Sequence, residues 1–176
     1  MPPTIAVVGS LNIDFVTTTP RVPAGGETLT ATSFDTGFGG KGSNQAVACA
    51  RLSSRPQTDQ DPSFTNVKTC MVGAVGDDSF GADFIKALKA ENIDTTHIRQ
   101  IEGQKTGIAN IIVEEGSGEN RILLAANANH ASGGELLDLV PAKADVVVFQ
   151  LEIPLPLVRV PSIYPPEDKS RITKID

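Results

Sequence analysis

The chain has 176 residues, 40% of them hydrophobic and 20% charged, the size and balance of one soluble globular domain able to bury a sizeable core. A net charge of −6 argues against a general nucleic-acid or anionic-membrane surface. No apolar run reaches the roughly eighteen residues of a membrane helix, and no charged, apolar, cleavable leader is present, so the expected compartment is the cytoplasm or the nucleus. Cys49 and Cys70 lie in apolar segments and are expected to be reduced core residues.

In chain order, Thr4–Val8 is a short apolar, β-branched run ended by Gly9, which predicts a buried parallel strand. Asn12 and Asp14 follow at its carboxyl end, where open α/β sheets gather their ligands. In an extended chain residues two apart face the same way, so this amide and carboxylate could grip vicinal hydroxyls, one mainly donating and the other accepting. An Asx turn closing the strand is the competing reading. Residues 15–38 lack helical periodicity; Phe15–Thr19 and Glu27–Thr32 are threonine-rich and extended in character, separated by Pro20, Pro23 and Gly25-Gly26.

The segment Gly39-Gly40-Lys41-Gly42-Ser43-Asn44-Gln45-Ala46 places three glycines, a lysine and two amides ahead of a helix predicted over 43–52. Such a loop turns tightly and approaches a ligand closely. The amide hydrogens at the helix start are expected to point outward unsatisfied, toward an oxygen-rich ligand. It is not a P-loop, because Gly42 follows Lys41 where a hydroxyl would hold magnesium. Gly37-x-Gly39-x-x-Gly42, with Asp59 and Asp61 beyond, satisfies a dinucleotide pattern, but that pattern belongs in the first strand–turn–helix of its fold and here an earlier strand precedes it.

Residues 53–66 form a polar, proline-containing stretch, expected to be an exposed insertion. A strand over 67–75 follows. Ser79 is the expected N-cap of a helix reaching about Glu91, with Phe80, Phe84, Ile85 and Leu88 as its core stripe. Asp77 and Asp78 are expected to serve that helix start rather than a metal. Thr106–Val113 and Asn120–Ala126 flank a Gly-containing turn and predict a β-hairpin. A short helix over 135–140 and a buried strand over 144–151 complete the alternation of a doubly wound α/β fold, with four strands left over for a small separate sheet. Glu152 caps the last strand. His97 and His130 lack a nucleophile or ligand-spaced partner and are expected at the surface.

Four segments in order, Gly-Ser-Leu-Asn-Ile-Asp from Gly9, Gly-Gly-Lys-Gly-Ser-Asn-Gln-Ala-Val-Ala from Gly39, Val75 to Gly81, and Gln150 to Leu155, together resemble the ribokinase branch of the PfkB sugar-kinase family over residues 4 to 155. The resemblance implies an α/β fold: the N-terminal part of a ribokinase-like three-layer α/β/α sandwich over 1–155, with a small β-sheet lid built from strands within 15–38 and 106–126. It implies ATP-dependent phosphorylation of D-ribose at its 5-hydroxyl, giving ribose 5-phosphate, with Mg2+ and K+ in the full-length family member. Asn12, Asp14, Gly39, Gly40, Lys41, Asn44 and Glu152 would hold the sugar. The lid would also join two copies as a homodimer, with neither nucleic acid nor membrane as a partner.

The chain departs from the family in three places. The Gly-Ala-Gly-Asp segment that carries the catalytic Asp is absent, since Gly81-Ala82-Asp83 lacks the second glycine and lies on the wrong helix. Loss of a general base alone lowers rates by on the order of a hundred- to ten-thousandfold, so these residues by themselves are expected neither to bind ATP, Mg2+ or K+ well nor to turn over. Four prolines within residues 156–166 cannot continue the family's amphipathic helix. The tail 156–176 is therefore expected outside the fold of a truncated product, with a bare sheet edge. Asn127 stands where the family more often has glycine, ahead of Ala128-Asn129. The alternatives are a sugar-binding or dimerising fragment without catalysis, a non-functional fragment and, last, a dehydrogenase.

Overall fold

A computed structural model describes residues 2–54, 66–131, 136, 138–158 and 172–174. Its first sheet is parallel throughout. Strand β1 (Thr4–Val8) lies at the centre, and the order β5-β4-β1-β8-β9 places β4 (Lys68–Gly76) and β5 (Ile98–Ile101) on one side and β8 (Val146–Phe149) and β9 (Ile172–Lys174) on the other. Alternation along these strands divides the core in two. Ala6, Val8, Cys70, Val72, Val147 and Phe149 pack with Leu136, Ala144 and Ile153 on one face. Val7, Met71, Val75 and Val148 face the other way, against Ala46 and Ala50 of helix α1 (Lys41–Ser53) and Phe84 and Leu88 of α2 (Ser79–Ala90). This is the expected sandwich.

The second sheet has the order β3-β2-β6-β7, with β2 (Asn12–Thr19) between β3 (Ser33–Gly39) and β6 (Gly107–Glu114), and β7 (Asn120–Ala125) at the edge. β2 runs parallel to β6 and antiparallel to β3, and β6–β7 is the expected hairpin. Aromatic contacts fasten one face of this lid to α2. Phe15 stacks on Phe34 at 6.0 Å and meets Phe80 edge-on at 5.7 Å, while Phe38 lies 5.0 Å from Phe84.

Several local expectations need correction. The second extended lid segment is not 27–32 but β3, because the loop before it is closed by the paired Arg21 and Glu27 and by the Ala24 amide donating to Glu27. Pairing with β2 begins only around Thr32, whose amide donates to Thr18 at 2.8 Å. Asp78, not Ser79, caps α2, its carboxylate accepting from the Gly81 amide at 3.0 Å. A carboxylate reaches the N3 amide from that position and also suits the helix dipole. Part of the tail joins the fold: Leu155–Val158 makes one helical turn, α4, and Ile172–Lys174 pairs with Val147–Phe149. An open strand edge offers unpaired amides and carbonyls, and this short segment satisfies those of β8.

The insertion's residues 55–65, with Asp59 and Asp61, and Glu135 of the expected helix 135–140 lie outside the described residues. Cys49 and Cys70 are free; burial raises both thiol pKa values, that of Cys70 to about 12 with a further push from Asp94. His130 is exposed and His97 half-buried. Among the described residues no helix is long and apolar enough to cross a membrane.

Phe84 is buried beneath both the lid and the sheet. Phe84→Ala is expected to lower the unfolding free energy by about 3–5 kcal/mol, measured by urea denaturation of the two chains.

Candidate functional site

The chain passes between its two sheets four times, and two of these crossings, from β1 to β2 and from β3 into α1, build the site. Val8 ends β1 and Asn12 begins β2, with only Gly9, Ser10 and Leu11 between them. β3 returns from the lid directly into α1 through Gly40, whose φ of +91° suits glycine and which caps the helix without a side chain. The two crossings touch. A β-carbon on Gly42 would lie 2.5 Å from Gly9 C and Ser10 N, so only glycine permits this approach.

The helix start is not an open anion nest, contrary to the expectation from its glycines. Glu152 Oε2 accepts from the Lys41 amide at 3.1 Å, Ser10 Oγ from the Gly42 amide at 3.3 Å, and Ser10 O from the Ser43 amide at 3.0 Å. The orphan amides of the first turn are thus satisfied by the loop after β1 and by Glu152, the residue just past β8. The free chemistry of the site therefore lies in side chains.

Several of the side chains singled out in the sequence come close to one another. Asn12 and Asp14 occupy the same face of β2, opposite Gly39 and Gly37 respectively. The Asp14 carboxylate lies over Gly39, where a β-carbon would collide with it. Lys41 Nζ stands 3.3 Å from Glu152 Oε1, and Asn44 follows Lys41 by three residues on the same side of α1. Asn44 also borders a cleft of about 290 Å³ between α1 and α2, together with Phe38, Val47, Arg51, Phe84 and Glu91.

The two carboxylates are unlike. Burial, and then the charge of Glu152, raise the Asp14 pKa above its ordinary value. Burial also works to raise that of Glu152, but hydrogen bonds from Ser10 and from the Lys41 amide and side chain, with the Lys41 charge, hold it below the usual glutamate value. The ionised form of one carboxylate is stabilised by its surroundings and that of the other is opposed.

Two polar residues of the site are absent from the sequence-derived set. Ser10, fully buried, donates to Glu152 Oε2 at 2.6 Å, with Gln150 Oε1 3.2 Å away. Asn129, on the short helix α3 (Ala128–Ala131), reaches Leu11 and Asn12. Ser10 lies within the first of the four matching segments, and Asn129 belongs to the Ala128-Asn129 pair just beyond the β6–β7 hairpin. Asn127 resolves the departure before α3: its φ is +46°, the left-handed conformation a glycine would take, and its Nδ2 donates to Thr106 O at 3.0 Å. Thr106 is in turn held by Asp78, through its amide at 3.0 Å and its hydroxyl at 2.6 Å.

A parallel sandwich under a four-stranded lid, with polar side chains gathered where the two meet, is the architecture of a ribokinase-fold protein. A model of the pfkB family carbohydrate kinases matches residues 3–158, and the chain belongs to that family. The ribokinase of Schizosaccharomyces pombe is 42% identical over 161 residues, covering 89% of this chain and 48% of the relative. Among solved structures, the ribokinase of Giardia lamblia matches with a TM-score of 0.73 at 33% identity, over 98% of this chain and 53% of that one. The ribokinase of Arabidopsis thaliana, solved with ribose and ATP, matches at 0.70 and 29% identity, over 89% and 47%. The chain spans about half the length of the curated relatives it matches.

Opposite pKa shifts predict opposite stability effects. Asp14 binds its proton more tightly folded than unfolded, so its ionisation destabilises the fold as pH rises from about 4 through its folded value. Glu152 is shifted down, so its contribution is present above about 4.3 and is lost as pH falls through its folded value. At neutral pH Asp14→Asn is expected to raise the melting temperature, and Glu152→Gln to cost about 1–2 kcal/mol. Both differences should shrink toward about pH 3, as followed by thermal melts across pH.

Proposed function

We propose that the seam between the sheets is a D-ribose site, held by Asn12, Asp14, Gly39, Gly40, Lys41, Asn44 and Glu152. The observation that carries this reading is the convergence of an amide, a carboxylate of raised pKa and a Lys–Glu pair on one ledge at the carboxyl ends of β1 and β8. Such a set offers donors and acceptors to adjacent hydroxyls, and the similarity to the ribokinases of fission yeast, Giardia and Arabidopsis favours ribose among sugars.

By the same similarity, the reaction of the family served by this half is transfer of a phosphoryl group from ATP to the 5-hydroxyl of D-ribose. The residues described do not fit the nucleotide, Mg2+ or K+. Among the described residues no group of three or more His, Cys, Asp or Glu is placed to hold a cation, and the first amides of α1 are already bonded within the protein. The sequence also holds no Gly-Ala-Gly-Asp segment. The 176 residues by themselves are accordingly assigned sugar binding without turnover. A dehydrogenase is disfavoured, because Gly42 packs against Gly9 and Ser10 rather than opening toward a pyrophosphate.

The lid favours a second copy as partner. Strand register puts Asp14, Ala109 and Leu124 in one row and Val16, Ile111 and Ile122 in the next, on the face turned away from α2. Ile122 and Leu124 there are 54% and 48% exposed, an apolar strip flanking the site. A matching strip on another copy would cover it.

Calorimetric titration with D-ribose is expected to give heat unaltered by ATP and magnesium. Asp14→Ala should weaken binding by about ten- to a hundredfold, the loss of a hydrogen bond to a charged group. No ribose heat from the unmodified chain would overturn the assignment. In sedimentation, Leu124→Glu is expected to shift any dimer to monomer; a dimer that persists unchanged would place the interface elsewhere.

A further inference from the structure

Asn129 is 1% exposed, and its side chain is spent inside the protein. Its Oδ1 accepts from the Leu11 amide at 2.9 Å, and its Nδ2 donates to Leu11 O at 3.0 Å and to Asn12 Oδ1 at 2.8 Å. A backbone amide only donates and a carbonyl only accepts, so Leu11 dictates which end of the Asn129 amide is oxygen. That choice leaves Asn129 Nδ2 facing Asn12, which must turn its own oxygen inward. The end that Asn12 can then offer a ligand is its nitrogen, a donor.

Primary amides do not choose this orientation unaided, because their two ends have nearly the same shape. With the acceptor Asp14 two residues along the same strand face, a donor at Asn12 completes the pair that vicinal hydroxyls need. An inverted Asn12 would set two acceptors side by side. The room for this contact is made by Gly107, the first residue of β6, where a β-carbon would collide with both Asn12 Oδ1 and Asn129 Nδ2. β2, β6 and α3 therefore meet on one buried hydrogen bond, in surroundings where a satisfied polar contact is strong and an unsatisfied one costly.

We propose that Asn129 is a positioning residue that turns the donor end of Asn12 toward the sugar and, through α3, ties that orientation to the β6–β7 hairpin of the lid. The proposal rests on the assignment of Asn12 to a D-ribose site.

Two measurements test it separately. In amide NMR of the unmodified chain, both side-chain protons of Asn129 are expected to exchange slowly with deuterium; rapid exchange overturns the proposal. D-ribose titrations then compare the unmodified chain, Asn12→Ala, Asn129→Asp and the double variant. Asp at 129 keeps the shape and the acceptor toward Leu11 but has at most one proton for the two oxygens, Leu11 O and Asn12 Oδ1, that Asn129 Nδ2 serves, so Asn12 loses its fixed partner. Asn129→Asp is expected to weaken ribose binding about tenfold, yet to change it less than about twofold once Asn12 is Ala. Equal losses in both backgrounds, which a merely structural role would give, overturn the proposal, as does unchanged affinity in Asn129→Asp. Protected Asn129 protons with no ribose heat from the unmodified chain would support the Asn12–Asn129 lock while sinking the ribose assignment.

Discussion

The site depends on the approach of α1 to the end of β1. Gly42 lies against Gly9 and Ser10 with no room for a side chain, and the Ser43 amide closes the contact on Ser10 O. This brings the first exit from the parallel sheet and the first return from the lid to one point. Asn12 and Asp14 arrive on one crossing, and Gly39, Gly40 and Lys41 on the other. Each crossing is only a few residues long, so the positions of the polar groups follow from backbone packing rather than from flexible loops. Glu152 locks the arrangement from a third element, accepting from Lys41 and Ser10 together.

The electrostatics follow from that packing. Glu152 sits at the amide end of α1 beside a lysine, where a carboxylate is favoured. Asp14 is half-buried near Glu152, and its ionisation is opposed. In the proposed site a ligand hydroxyl donating to Asp14 would relieve this. Used as proposed, such a destabilised charge would give up some stability for binding.

Much of the fold was legible in the residues. Thr4–Val8 matches its predicted strand to the residue, because a β-branched run closed by glycine has few other options; of the predicted stripe, Phe84, Ile85 and Leu88 did mark the packed face of α2, while Phe80 is 36% exposed and meets Phe15 of the lid instead. The convergence of Asn12 with Asp14 needed only the two-residue period of a strand. What local pattern does not encode is pairing at a distance. The satisfaction of α1's first amides depends on Ser10 and Glu152, which lie 32 and 111 residues from the groups they bind. Asn129 reaches Asn12 across 117 residues, and nothing near it in sequence announces that contact. Asp78 rather than Ser79 caps α2, and its carboxylate also serves Thr106, a partner visible only in three dimensions.

The measurement that tests this account most directly is D-ribose titration of Gly42→Ala beside Gly116→Ala. A β-carbon at Gly116 meets nothing within 4 Å, whereas one at Gly42 would press into the backbone of Gly9 and Ser10. The account predicts that Gly116→Ala binds D-ribose like the unmodified chain and that Gly42→Ala loses binding, because the two crossings are forced apart. Undiminished ribose binding by Gly42→Ala would contradict it.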